Sequence, residues 1–117
     1  MEDTLAVIIP VYNGEFHIQR CINSCLLSSS LDEVIVVDDG SIDNTAAIVT
    51  SMQEVDNRIK FYQHPDGKNH GISASRNLGL KKAQSQWITF CDADDYYLSN
   101  RFEAFDRSFL VLFKPDQ

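Results

Sequence analysis

A chain of 117 residues that is 44% hydrophobic is long enough for one domain with a buried core and too apolar to be a disordered segment. Its formal net charge of −7 argues against nucleic acid or an anionic membrane as a partner. The same charge makes it a poor surface for a nucleotide unless a metal ion or a local basic group neutralises the phosphates.

Residues 5–10 form the first expected strand, and residues 14–27 a helix with Ile18, Cys21, Ile22, Cys25 and Leu26 on one stripe. Residues 33–38 are the second strand, nearly all Val and Ile before an acidic end. Gly40, Ser41 and Asp43 then turn the chain and cap a helix running to Val55, with Ile48, Met52 and Val55 as its buried stripe. Residues 59–63 are the third strand, followed by a loop over 64–69 that Pro65 and Gly67 break. A third helix starts at Gly71 or Ser73 and runs to Ala83, residues 86–91 are the fourth strand, and Ser99 caps a last helix. Strands alternating with helices predict an α/β fold with a mainly parallel sheet of about four strands, right-handed crossovers and a single domain over 1–117.

The three cysteines make no even disulfide framework, and Cys21, Cys25 and Cys91 read as small buried hydrophobes in a reducing cytoplasm. No histidine is spaced with them for zinc. The apolar stretch near the start lacks a basic leader and a small-residue cleavage site, so no signal peptide is expected. The run 109–113 is too short to span a bilayer.

In parallel sheets ligands bind beyond the carboxyl ends of the strands. Three polar clusters fall at such ends. Asp92-Ala93-Asp94-Asp95 follows the apolar Trp87-Ile88-Thr89-Phe90-Cys91. Three carboxylates so close are costly without a cation between them, and hard divalent ions bridge carboxylates to phosphates. The plainer alternative is a polar loop whose acids cap the next helix. Asp38-Asp39 is the second cluster. A turn explains Gly40, Ser41 and Asp43 but not two consecutive aspartates, which favours a ribose or base contact for Asp39. Pro10-Val11-Tyr12-Asn13 is the third, with Tyr12 either an aromatic face for a base or a half-buried packing residue. In residues 69–77, Gly71 and small side chains allow close approach to an anion at a helix N-terminus. Arg76 there reaches a phosphate, or pins the acidic cluster through Asp38 or Asp92. His70 and Lys68 read first as loop residues.

Ile9-Pro10-Val11-Tyr12-Asn13, Val36-Val37-Asp38-Asp39-Gly40-Ser41 with Asp43 and Thr45, Asn69-x-Gly71 with Ala74, Arg76, Asn77 and Gly79, and Asp92-Ala93-Asp94-Asp95 together resemble the nucleotide-binding half of family 2 inverting glycosyltransferases of the GT-A fold. Four motifs in order over residues 5–102 carry that resemblance. It implies a Rossmann-like nucleotide-binding sandwich, here truncated at the C-terminus. It implies that Pro10, Val11, Tyr12 and Asp39 hold the base and ribose of a nucleotide-diphosphate sugar, most often UDP-linked, with Glu15 near the nucleoside. It implies that Arg76 lines the donor pocket, that Asp94 is the direct ligand of Mn²⁺ or Mg²⁺, and that Asp92 binds the metal or lies by the ribose or sugar. The metal would neutralise the leaving diphosphate. A saccharide or lipid-linked acceptor and a cytoplasmic location near the inner membrane face are further implications.

The chain ends 22 residues after Asp95. An inverting transfer needs a base for the acceptor hydroxyl, and neither Glu103 nor Asp106 matches a family base. A truncated module that binds nucleotide-sugar without catalysis is therefore the competing expectation. Phe102, Phe105, Phe109, Leu112 and Phe113 repeat at helical spacing. That stripe predicts packing onto the sheet or a homo-oligomer. A signalling receiver domain fits less well, because its acidic pair follows the first strand rather than the second. A sugar-phosphate nucleotidyltransferase opens with a glycine-rich loop and an arginine that Val11-Tyr12-Asn13-Gly14 does not provide.

Overall fold

The computed structural model of the chain describes residues 3–94. In chain order the elements are β1 (Leu5–Val11), α1 (Ile18–Leu26), β2 (Glu33–Asp38), α2 (Thr45–Gln53), β3 (Ile59–Gln63), α3 (Ile72–Lys82) and β4 (Trp87–Phe90). The strands form one parallel sheet in the order β3-β2-β1-β4. The expected α/β architecture with four parallel strands is the one observed.

The sheet divides the core into two layers because alternate strand residues point to opposite faces. Leu5, Val7, Ile9 and Val11 of β1 meet Ile18, Cys21, Ile22 and Cys25 of α1 and Val49 of α2. Ala6 and Ile8 of β1, with Ile35, Val37 and Ile88, meet Leu78, Leu80 and Ala83 on the α3 side. Strands covered on both faces read as continuous apolar runs, and every residue of β1 and β2 is buried. Each fully buried Ile or Val is worth about 1.5–3 kcal/mol relative to exposure.

Both β1→β2 and β2→β3 step in one direction with their helices on one face. The β3→β4 connection steps back across the sheet with α3 on the other face. Reversing direction and face together preserves the hand of the crossover. The reversal places a topological switch point between β1 and β4, and their carboxyl ends part there.

Close approach of α3 to β1 depends on Gly79, since a Cβ at that position would lie 2.5 Å from Ile8 Cγ2. At the amino edge of the sheet, buried Glu33 accepts hydrogen bonds from Lys60 Nζ (2.8 Å), Ser85 Oγ (2.6 Å) and the N–H groups of Gln84 and Ser85. Arg58 donates to the carbonyls of Leu26, Ser28 and Leu31, which closes the C-terminal end of α1.

Several boundaries differ from the sequence expectation. Residues 14–17 form a turn held by Gly14 O, which accepts from His17 N and Ile18 N, so α1 begins at Ile18 rather than Gly14. α2 ends at Gln53, and Val55 is 88% exposed; Val49 is the buried residue instead, with Ile48 and Met52 packed partly against the core. Cys21, Cys25 and Cys91 are buried, as expected of small hydrophobes. Hydrogen bonding with Cys25 and Cys91, then burial, pushes the Cys21 thiol far above its ordinary range. The expected helix after Ser99, its apolar stripe, Asp95, Glu103 and Asp106 lie outside the described residues.

Candidate functional site

Strand register brings the three polar clusters to one edge. Val11 pairs with Asp38, and the Asp39 N–H donates to Val11 O at 2.7 Å. The Cys91 N–H donates to Ile8 O at 3.1 Å, which carries β4 alongside β1 until Asp92 leaves the sheet. Tyr12, Asp39 and Asp92 thus emerge side by side from the central strands.

Behind them the loop after β1 is knitted to the loop after β2. The Asn13 N–H donates to Ser41 Oγ (2.7 Å), the Gly14 N–H to Thr45 Oγ1 (3.0 Å) and the Glu15 N–H to Asp43 Oδ2 (3.2 Å). In return Ile42 N–H donates to Asn13 Oδ1, and Asn44 N–H to Glu15 Oε1. Asp43 also accepts from the backbone N–H and hydroxyl of Thr45. Desolvation pulls the Asp43 carboxyl up, but these donors outweigh it and hold it below the usual carboxylate range. Asp43 thus holds the first amide of α2, from one residue before the N-cap Asn44, whose own side chain makes no cap bond.

Asp38 and Asp39 are both buried and do different work. Asp38 accepts from Ser41 N–H and Gln63 Nε2 and closes the turn. Asp39 reaches across to the loop before α3. Its Oδ1 accepts from His70 N–H at 2.7 Å, its Oδ2 from Gly71 N–H at 3.0 Å, and Asn69 Nδ2 donates to its carbonyl. Gly40 makes this crossing possible. Its φ is +81°, and a Cβ there would sit 2.6 Å from Asn69 N. Buried His64 stands behind, with Nε2 3.2 Å from Asp39 Oδ1 and 3.0 Å from Ser75 Oγ.

Two adjoining cavities open at this edge. The larger, about 470 Å³, is lined by Pro10, Val11, Tyr12, Asn13, Gly14, His17, Ile72, Asp92, Ala93 and Asp94. The smaller, about 280 Å³, shares Pro10, Val11, Tyr12 and Ile72 and adds Asp39, Asn69 and Gly71. They form one cleft at the switch point, where open parallel sheets place ligands. One end is backbone amide and the Asp39 carboxylate. The other end is carboxylate.

Of the residues singled out in the sequence, Pro10, Val11, Tyr12, Asp39, Asp92 and Asp94 line the cleft. Glu15 does not; its carboxylate supports the Asn44 amide in the loop behind. Arg76 lies in the second turn of α3 and touches the site through Asp92, with Nη2 3.3 Å from Asp92 Oδ1 and its guanidinium 5.5 Å from the Phe90 ring centre. Of the alternatives open for Arg76, the pin on Asp92 is the contact formed. His17, Ile72 and His64 carried no expectation. Their signal was position alone: all three lie just beyond a strand end or at a helix start on the same edge, and only packing reveals which way they face.

Asp92 and Asp94 supply exposed hard oxygens of the kind Mg²⁺ and Mn²⁺ take, and the described residues hold no third histidine, cysteine or carboxylate grouped with them. Such a pair suits an ion whose remaining ligands are water and phosphate oxygens, and fits poorly with a closed all-protein metal cage.

The family model described as glycosyl transferase family 2 matches residues 6–107. An uncharacterized glycosyltransferase of Haemophilus influenzae is 40% identical over 100 residues, covering 85% of this chain and 39% of that protein. The crystal structure of S. aureus TarS 1-349 superposes with a TM-score of 0.76 at 32% identity, over 86% of this chain and 30% of that one. The same TarS segment in complex with UDP-GlcNAc also gives 0.76, at 33% identity over 86% and 29%. This chain spans well under half the length of each.

Proposed function

We propose, because the chain belongs to glycosyl transferase family 2, that its switch-point cleft binds a nucleotide-diphosphate sugar for transfer to an acceptor hydroxyl. The observation that carries this is the polarity of the cleft: Asp39 and backbone amides at one end, Asp92 and Asp94 at the other, with Pro10, Val11 and Tyr12 between. The amide-rich end with half-exposed Tyr12 suits a base and ribose. The carboxylate end suits a diphosphate only when a cation stands between the like charges. Asp94, with Asp92, would hold Mn²⁺ or Mg²⁺. A bound ion there supplies charge neutralisation for the departing diphosphate. Arg76 orients the Asp92 carboxylate, and Glu15 supports the loop beneath the nucleoside.

A UDP-linked donor is the favoured reading, since the similar TarS structure is a complex with UDP-GlcNAc. Inversion, a saccharide or lipid-linked acceptor in polysaccharide biosynthesis, and a cytoplasmic setting near the membrane are part of the same proposal. No helix among the described residues is long and apolar enough to cross a membrane. The competing reading, a nucleotide-sugar-binding module without catalysis, is not favoured, since the family matched and the similar proteins are glycosyltransferases.

Calorimetric titration of UDP with Mn²⁺, repeated with chelator and with Asp94→Ala, tests the binding claim. Metal-dependent binding lost in the variant is the expected result. Equal binding with and without metal would overturn the assignment of the carboxylate end. Turnover of UDP-GlcNAc with a sugar acceptor separates the enzyme from the module.

A further inference from the structure

The nucleoside end of the cleft is shaped by the loop before α3. His70 and Gly71 present their backbone N–H groups to Asp39, and Gly71 lines the cavity. What holds Asp39 in turn is His64. The ring is buried, at 8% exposure, and does not itself line the cleft. Its Nε2 lies 3.2 Å from a carboxylate oxygen. A bare nitrogen lone pair facing that oxygen would be repelled, so Nε2 carries the proton; its hydrogen bond runs to Ser75 Oγ at 3.0 Å, and the positive edge of the ring faces Asp39. On its other side the ring packs against His70, centroid to centroid 4.7 Å, and His70 Nε2 is 2.9 Å from the Asp66 carboxylate. His64 therefore touches both the carboxylate and the loop that the carboxylate holds.

We propose that His64 is a positioning residue that fixes the Asp39 carboxylate, and with it the backbone of His70 and Gly71, in the shape the nucleoside requires. The inference rests on the nucleotide reading of the cleft. A carboxylate buried at 4% exposure must be satisfied. With the ring donor gone, Asp39 rotates toward water and releases the loop.

The test uses the full chain with three substitutions. His64→Phe keeps a ring against His70 and removes the donor. His64→Asn keeps polarity but cannot reach. His64→Gln places an amide N–H near the position of Nε2. Hydrogen exchange of the His70 and Gly71 amides is read beside calorimetry of UDP, and of inorganic diphosphate, each with Mn²⁺. Loss of the polar N–H edge facing the carboxylate predicts about tenfold faster exchange at those two amides in H64F and H64N. A comparable weakening of UDP is expected, with diphosphate affinity kept within about twofold and most of both effects restored in H64Q. Either loss variant decides the matter if the other fails to fold. Unchanged exchange at 70 and 71 overturns the proposal. So does acceleration spread evenly over β1 and β2, or a parallel fall in diphosphate affinity, because each marks general loosening instead. Wild-type protein that binds no UDP would sink the nucleotide reading, and the exchange measurement would still judge the role of His64.

Discussion

The two ends of the cleft are built on opposite plans. At the amide end, Asp39 is buried, accepts from two backbone amides with His64 Nε2 3.2 Å away, and closes a loop-to-loop contact that Gly40 makes room for. At the carboxylate end, the Asp92 side chain is 49% exposed, Asp94 is exposed, and the Asp92 carboxylate accepts a 3.3 Å bond from Arg76. The same residue type thus serves two purposes. A buried, satisfied carboxylate is part of the fold and shapes a surface in advance. An exposed, repelling pair adds little to the fold and leaves its oxygens open to solvent. Under the proposed function, pre-organisation sits where a base would be selected, and adaptability where metal and phosphate would meet.

That contrast breaks most visibly at Asp39. Asp39→Ala strands the two backbone donors of His70 and Gly71, at about 1–3 kcal/mol for each buried group left unpaired. A loss of about 3–5 kcal/mol in urea unfolding is expected, and UDP binding should disappear with it. A midpoint within error of wild type would mean the loop contact is dispensable.

Glu33 provides a buried carboxylate remote from the cleft. Burial raises its carboxyl, but the Lys60 ammonium, the Ser85 hydroxyl and the Gln84 N–H outweigh burial and hold it below the ordinary 4.5. Because the folded value lies below the unfolded one, its stabilisation is complete above about pH 4.5 and fades as pH falls through the depressed value. Glu33→Gln should cost about 1.5–3 kcal/mol at pH 7, remove its share of the acid sensitivity below about pH 4.5, and leave UDP affinity alone. Urea melts across that range check the slope. A variant as acid-sensitive as wild type would refute the assignment.

Thr45→Val tests the knitted loops behind the site. It leaves the Gly14 N–H without its hydroxyl partner, which should cost about 1–2 kcal/mol and weaken UDP modestly, by calorimetry and thermal melting. Smallest on stability are changes at the open end. A double-mutant cycle on Arg76 and Asp92 should return less than about 1 kcal/mol, as for other half-exposed pairs. Asp94→Ala should alter stability by under about 0.5 kcal/mol, while weakening Mn²⁺-dependent UDP binding at least about tenfold, or about 1.4 kcal/mol. An Asp94 variant that unfolds the protein would erase the distinction between the two ends.

Much of this fold is legible in the residues. The strand over 33–38 was bounded correctly, because Glu33 and Asp38 bracket an unbroken run of Val and Ile that parallel sheets bury on both faces. The helices were legible as elements but not at their ends. Val55 keeps the spacing of Ile48 and Met52, yet the helix stops at Gln53 and the side chain swings out to solvent. Spacing describes a helix only while the helix lasts. Asp39, Asp92 and Asp94 could be nominated from the sequence, since clustered carboxylates at strand ends carry a cost that needs explaining.

What sequence alone determined was the alternation of elements and the polar clusters at their ends, because periodicity and composition are local properties. Tertiary structure alone decided that β4 joins β1 and so opens the cleft at the switch point. It also decided that Glu15 props a loop and that His64, unremarkable between Gln63 and Pro65, stands behind Asp39. Those outcomes depend on crossovers and side-chain packing between segments far apart in the chain, and no local window contains them.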